Sequence, residues 1–241
     1  MSQVRFLCLT NNAVQLQSLL EHLALVDPNV GHRFHALWGA ASASAGYNAL
    51  ARMHGDADPN EILCFIHQDA RLHFDWRIVP GYFDRLKDPG VLGFVGCKRL
   101  TEDGRWFQGK GHYGKLIQFK HPQSEAERKP NMVFGACTQI YTDGDYGFPV
   151  EQVQALDGFC LFIQRKLFSR VGGFADYLKG WHFYDIDLCL RAERWGMRNY
   201  VIDELAQHFS GGNDQTPEFR EQQKCFRKNW RATLAENKGV A

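Results

Sequence analysis

The sequence predicts an α/β fold, an open sheet with helices on both faces, and two observations carry that prediction. Over the first hundred residues, apolar runs of strand length alternate with stretches of helical periodicity. Two of those runs end in polar clusters, "TNN" (10–12) and "HQD" (67–69). Ligands of open α/β sheets gather beyond the carboxyl ends of the strands, so both clusters belong on one rim. A single domain is expected, since 241 residues bury a sizeable core without metal or disulfide support.

The elements follow in order. "VRFLCLT" (4–10) is a short apolar run and reads as a buried strand. "VQLQSLLEHLALV" then sets Val14, Leu16, Leu19, Leu20 and Leu23 near one helical face. "RFHALW" (33–38) is a second strand, "SAGYNALARM" a second helix and "EILCFIH" (61–67) a third strand. Pro80 suits the first turn of a helix running to Leu86, and "VLGFVG" (91–96) is the next strand. From Thr101 to Pro130 the pattern dissolves, and "GRWFQGKGHYGK" and "HPQSEAERKP" read as exposed loops. Strands return at "MVFGACTQIY" and "VQALDGFCLFIQ". A helix is expected from Asp185 to Trp195, with "RNYVID" as the last strand. From Thr216 to about Glu236 the tail is helical, with Phe219, Phe226, Trp230 and Leu234 on one stripe.

Composition excludes several function classes. The 28 basic and 27 acidic residues balance to +1, which argues against a nucleic-acid partner. The seven cysteines contain no C-x-x-C pair and lie mostly in apolar runs, so they read as small hydrophobes and not as a disulfide or zinc framework. The N-terminus has too short an apolar run for a signal peptide, and no span approaches about 18 apolar residues. A reduced, soluble, cytoplasmic protein is expected.

Three places carry residues suited to chemistry. Asp69 emerges at the carboxyl end of an apolar strand, where a carboxylate serves a turn or holds a hard cation such as Mg2+ or Mn2+. His67 would share its face if the strand continued so far, and equally suits packing. His208 stands in "AQHFSGG", far from both in sequence, and spacing alone does not join it to them. Asp185 and Asp187 in "HFYDIDLCLR" open a helical segment. Asp185 suits an N-cap and Asp187 the first turn, although the capping-box partner is missing because Leu188 occupies that position. A carboxylate that accepts a proton is the other reading of Asp185.

The ordered set "SAGYNALAR", "FIHQDARL", "GFVG", "ALDGFCLFIQRKLFSRVGGFADYLKGWHFYDIDLCLRAERWG" and "AQHFSGG" resembles the family 2 glycosyltransferases of GT-A fold, over roughly residues 4–212. It looks most like a bacterial glycosyltransferase-like subgroup. The resemblance implies a Rossmann-like mixed sheet in a catalytic domain over 1–215, with a helical tail over 216–241. It implies inverting transfer of a sugar from a nucleotide-sugar donor to a saccharide or lipid-linked acceptor, assisted by Mn2+ or Mg2+, as in polysaccharide biosynthesis.

By position, Asp69 matches the last aspartate of D-x-D and His208 the distal metal-ligand histidine. Asp185 matches the aspartate of the E-D pair, the general base, while Asp187, Leu188 and Arg191 anchor that helix. Thr10, Asn11 and Asn12, with His67 and Gln68, fall where the nucleotide is held. Asp157, Gly158, Trp181 and Tyr184 fall on the substrate side, with Trp181 as acceptor platform. The chain departs from the pattern at three places. His67 replaces the first aspartate of D-x-D, Tyr184 replaces the glutamate of E-D, and "LWGAASASAG" lacks the aspartate that reads the nucleobase.

The segment 101–130 is expected on the acceptor side, where Trp106, His112 and Tyr113 suit either stacking on sugar rings or packing. Arg220, Lys224, Arg227, Lys228 and Arg231 on the tail suit either an anionic membrane surface or plain solvation. Two other functions use related parts. A nucleotidyltransferase would need a Gly- and Lys-rich phosphate loop, which "TNNAVQLQ" lacks. A sugar- or nucleotide-binding domain of the same fold would carry HQD as a decayed metal site.

Overall fold

The computed structural model describes residues 3–53, 58–119, 130–133, 139–143, 146–210 and 214–236. The chain opens with β1 (Val4–Thr10), α1 (Ala13–Ala24), β2 (Phe34–Trp38), α2 (Ala43–Arg52) and β3 (Ile62–His67). Next come β4 (Ala70–Leu72), α3 (Val79–Arg85), β5 (Pro89–Gly93), β6 (Val95–Arg99) and β7 (Lys110–Phe119). Strands β8 (Pro130–Val133), β9 (Gln139–Asp143), β10 (Tyr146–Val153), β11 (Ala155–Leu156) and β12 (Cys160–Gln164) follow. The chain continues through α4 (Arg165–Arg170), α5 (Tyr184–Arg194), β13 (Arg198–Ile202), β14 (Leu205–His208) and α6 (Pro217–Glu236).

Among the described residues, eight strands form one mixed sheet in the order β2-β1-β3-β12-β5-β13-β10-β9. A smaller mixed sheet runs β11-β6-β7-β14-β4, with β8 beside β7. The first three strands of the large sheet are parallel, as the α1 and α2 crossovers require. Both faces of that sheet are covered. Phe6, Cys8, Cys64 and Phe162 join the core under α1 and α3, and Leu7, Leu9, Phe65 and Ile163 the core under α2, α5 and α6. Asn12 starts α1 by accepting from the amides of Val14 and Gln15, and Ser42 starts α2 by accepting from Ala45.

Several expectations change. "VLGFVG" is two strands, β5 in the large sheet and β6 in the small one, parted at Phe94. "VQALDGFCLFIQ" likewise splits into the end of β10, β11 and β12. "GRWFQGKGHYGK" is a short 3-10 turn and the body of β7, not a loop, and Gly114 explains its odd composition. That residue has φ +123, and a Cβ there would lie 1.9 Å from the carbonyl oxygen of Phe94, just before β6. "LAQH" continues past "RNYVID" as a further strand, β14. Most of "HPQSEAERKP" and the middle of "MVFGACTQIY" lie outside the described residues.

The two sheets share a seam. The chain passes from large sheet to small between β3 and β4 (Gln68 and Asp69), β5 and β6, β10 and β11, and β13 and β14, and its returns include those between β4 and β5 and between β11 and β12 (Asp157–Phe159). Backbone hydrogen bonds stitch these crossings, His67 N to Phe159 O at 2.8 Å and Phe209 N to Asp69 O at 3.1 Å. The α6 helix buries Phe219, Phe226, Trp230 and Leu234 in the same core as α5, while its five basic residues stay exposed. No helix among the described residues is long and apolar enough to cross a membrane.

Candidate active site

A cleft of about 1110 Å3 opens over the seam. Strand pairing explains how His67, Asp69 and His208 meet there. β14 runs antiparallel to β4 with His208 opposite Ala70, which sets the histidine beside Asp69. His208 Nε2 lies 3.4 Å from Asp69 Oδ1 and 3.4 Å from His67 Nδ1. The three ligating atoms lie within 4.8 Å of one another. The expected shared strand face does not occur, because β3 ends at His67 and the turn brings Asp69 round.

The electrostatics leave the carboxylate ionised. Burial works to raise the Asp69 carboxyl, and the His208 hydrogen bond with the charges of His208 and His67 outweighs it, down to about 2. Burial, then the charge of His208, lowers the His67 imidazole to about 4 against the pull of Asp69. His208 stacks on Phe159 at 4.9 Å, and its Nδ1 is buried with no hydrogen-bond partner among the described residues.

Asp185 and Asp187 answer separately. The residue before α5 is Phe183, in the left-handed region at φ 64 with no side-chain cap, so Asp185 lies inside the first turn and is not the N-cap. Its carboxyl is buried at 9% exposure. Burial, then the neighbouring Asp157, raises it to about 7. Asp157 is itself raised by burial, and its Oδ1 accepts from the Phe159 amide at 3.0 Å. Gly158 lets the two acidic segments close: a Cβ there would lie 2.9 Å from Asp185 Oδ2 and 2.6 Å from the Tyr184 hydroxyl. Asp187 points away and accepts from Tyr177 Oη (2.6 Å), Trp230 Nε1 (2.9 Å) and Arg191 Nε (2.7 Å). It ties α6 to α5.

The remaining expected residues divide. Thr10, Asn11 and Gln68 line the cleft as one network, in which Gln68 Oε1 accepts from Thr10 Oγ1 (2.6 Å) and the amides of Asn11 (3.0 Å) and Asn12 (3.1 Å). Asn12 does not line the cleft, and its side-chain oxygen caps α1. Trp181, 46% exposed, stands on the cleft wall with Asp157 and Gly158. Tyr184 is only 3% exposed and hydrogen-bonds His67. Trp106 lines the cleft, whereas His112 bonds the Trp106 carbonyl and Tyr113 lies under Lys98. Sequence reasoning missed Arg105, Phe107 and His182, which also line it. For the first two, the signal was hidden in the glycine-rich stretch taken for a loop.

The model of the Glycosyltransferase like family matches residues 6–233. The chain belongs to that family. Among curated proteins, the family member described here is similar to the uncharacterized protein y4gI of Sinorhizobium fredii, 27% identical over 202 residues. The match covers 77% of this chain but 20% of that protein, so the chain spans about a fifth of its relative's length. Among solved structures it is similar to GalNAc-T7 with UDP, GalNAc and Mn2+ (TM-score 0.54, 11% identity, 100% of this chain and 52% of that one). It is also similar to the mannosyltransferase PcManGT of Pyrobaculum calidifontis in complex with GDP-Man and Mn2+ (TM-score 0.53, 12% identity, 95% and 64%). At that identity the likeness shows the fold, which is that of the GT-A glycosyltransferases.

The residues present fit a divalent cation. Ligands at adjacent corners around an ion with bonds of about 2.1 Å stand about 3 Å apart, close to the two 3.4 Å separations seen. Two imidazoles and a carboxylate are donors that first-row divalent ions accept.

Proposed function

We propose that this glycosyltransferase-like chain moves a sugar from a nucleotide-sugar donor to a hydroxyl of a saccharide or lipid-linked acceptor, inverting the anomeric centre. The observation that carries the reading is Asp185, a buried carboxyl raised to about 7 in the same cleft as the His67, Asp69 and His208 group. A general base works best with a pKa near the operating pH.

His67, Asp69 and His208 would hold the cation, which when bound would supply charge stabilisation for the diphosphate leaving group. Two imidazoles beside one carboxylate favour Mn2+ over Mg2+, which prefers oxygen. Thr10, Asn11 and Gln68 line the donor end. Trp181, exposed on the wall, offers an apolar face to the acceptor ring. The acceptor oxygen attacks the anomeric carbon as the bond to the diphosphate oxygen breaks, and the hydroxyl proton passes to the Asp185 carboxylate. The low-dielectric cleft floor strengthens each of these interactions. All six described cysteines are unpaired thiols, which supports a reducing, cytoplasmic setting. The exposed basic residues of α6 support an anionic membrane surface near a lipid-linked acceptor.

The test is thermal stabilisation by nucleoside diphosphates with and without Mn2+, followed by turnover with the matching nucleotide sugars. A ligand at about 100 times its dissociation constant stabilises by about 2.7 kcal/mol. Equal affinity in EDTA, Mg2+ and Mn2+ overturns the cation role. Binding without transfer, across a panel of acceptors, leaves a binding domain instead of an enzyme.

A further inference from the structure

His67 and Tyr184 lie 117 residues apart, and the structure brings them together. Tyr184 Oη is 2.8 Å from His67 Nε2 and 3.1 Å from the Gly158 carbonyl oxygen. From this geometry, and resting on the cation site proposed above, we infer that Tyr184 is a positioning residue that fixes the tautomer and the ring orientation of His67.

The proton count gives the direction. A hydroxyl has one proton, and the Gly158 oxygen accepts only, so the Tyr184 proton points at Gly158. The hydroxyl oxygen then accepts from His67 Nε2–H. His67 Nδ1 is left with its lone pair on the side of His208 Nε2, 3.4 Å away, where a ligand is needed. The opposite arrangement would leave the hydroxyl and carbonyl oxygens facing each other with no proton between them. It would also put a proton on Nδ1, which could not then ligate.

Tyr184 is itself rigid. It is buried between Tyr47 (ring centroids 6.0 Å apart) and Phe174 (5.5 Å), and Gly158 has no room for a side chain beneath it. The other imidazole is held differently. Among the described residues His208 Nδ1 has no hydrogen-bond partner, and its ring is oriented by stacking on Phe159. Among the described residues, His67 alone of the two rings has an outer hydrogen bond, the kind whose loss typically costs 10- to 100-fold in metal affinity. Tyr184 and His67 thus work as a pair, each making sense of the other.

The experiment is Mn2+ titration, read as free-ion electron paramagnetic resonance, of wild type, Tyr184→Phe, His67→Ala and the double variant. Tyr184→Phe keeps the aromatic packing and is expected to weaken Mn2+ binding about 10- to 100-fold in the wild-type background. In the His67→Ala background the same change is expected to do nothing further, because its effect passes through that ring. Equal weakening in both backgrounds means general damage and overturns the inference, as does unchanged affinity. Absence of Mn2+ binding by wild type overturns the cation site and the inference with it. Isotope-labelled histidine NMR of the metal-free wild type gives a check that needs no folded Tyr184 variant: His67 is expected as the Nε2–H tautomer, and Nδ1–H overturns the assignment.

Discussion

Replacing Asp185 with asparagine tests both the proposed base and the electrostatics that suit it to that role. The side chain keeps its shape and loses its ability to take a proton. At a pKa of about 7, roughly a tenth of the Asp185 carboxyls are ionised at pH 6 and roughly nine-tenths at pH 8. Wild-type kcat/KM should therefore rise about tenfold from pH 6 to its plateau. Asp185→Asn should lose at least about 100-fold at pH 8, bind donor as before, and lack the limb near pH 7.

Stability moves the other way. The folded state holds this proton more tightly than the unfolded chain, whose aspartate titrates near 3.9. The stabilisation is complete below about pH 4 and is lost as pH rises to about 7. Three pH units correspond to about 4 kcal/mol as an upper order of magnitude. Asparagine mimics the protonated form, so the variant should match wild type in urea melts at pH 4 and exceed it at pH 8. A variant that turns over normally, or that is less stable than wild type at pH 8, refutes the reasoning.

Two further substitutions probe the supports of the site. Gly158→Ala introduces a Cβ under 3.0 Å from Tyr184 Oη, Asp185 Cβ and Asp185 Oδ2, and should cost about 1–3 kcal/mol while lowering kcat more than donor affinity. An unchanged melt and rate would mean that the segment yields freely. Asp187→Ala strands the Arg191 guanidinium and leaves Trp230 Nε1 without its carboxylate, so urea denaturation should show a loss of about 3–5 kcal/mol. A loss under about 1 kcal/mol would show that α6 holds to α5 by its apolar stripe alone.

The repeating first third of the fold was legible because every local signal agrees there. β1, β2 and β3 are short, mostly apolar runs, and α1 and α2 follow polar caps at Asn12 and Ser42. The seam was not legible, and for a physical reason. A strand that leaves one sheet and enters another can stay buried throughout, so "VLGFVG" shows no polar break where the chain changes sheets. β7 was hidden by the opposite effect. Its glycines, needed where Gly114 presses on β6, look like loop residues to any reading based on composition.

The candidate site depends on that same seam. Asp69 and Asp157 sit at crossings between the sheets, and His208 reaches Asp69 only through the β4–β14 register, 139 positions along the chain from Asp69. No spacing rule encodes such a meeting, which is why local chemistry left each residue with two readings. The departures at His67 and Tyr184 looked like two losses in sequence and are one hydrogen bond in the structure. A carboxylate lost at His67 would weaken a cation site on its own, and Tyr184 stands against the residue that replaces it. Under the proposed cation site, the two departures would exchange one ligand type for another and supply the partner that orients it, so an altered motif here is compatible with a working site.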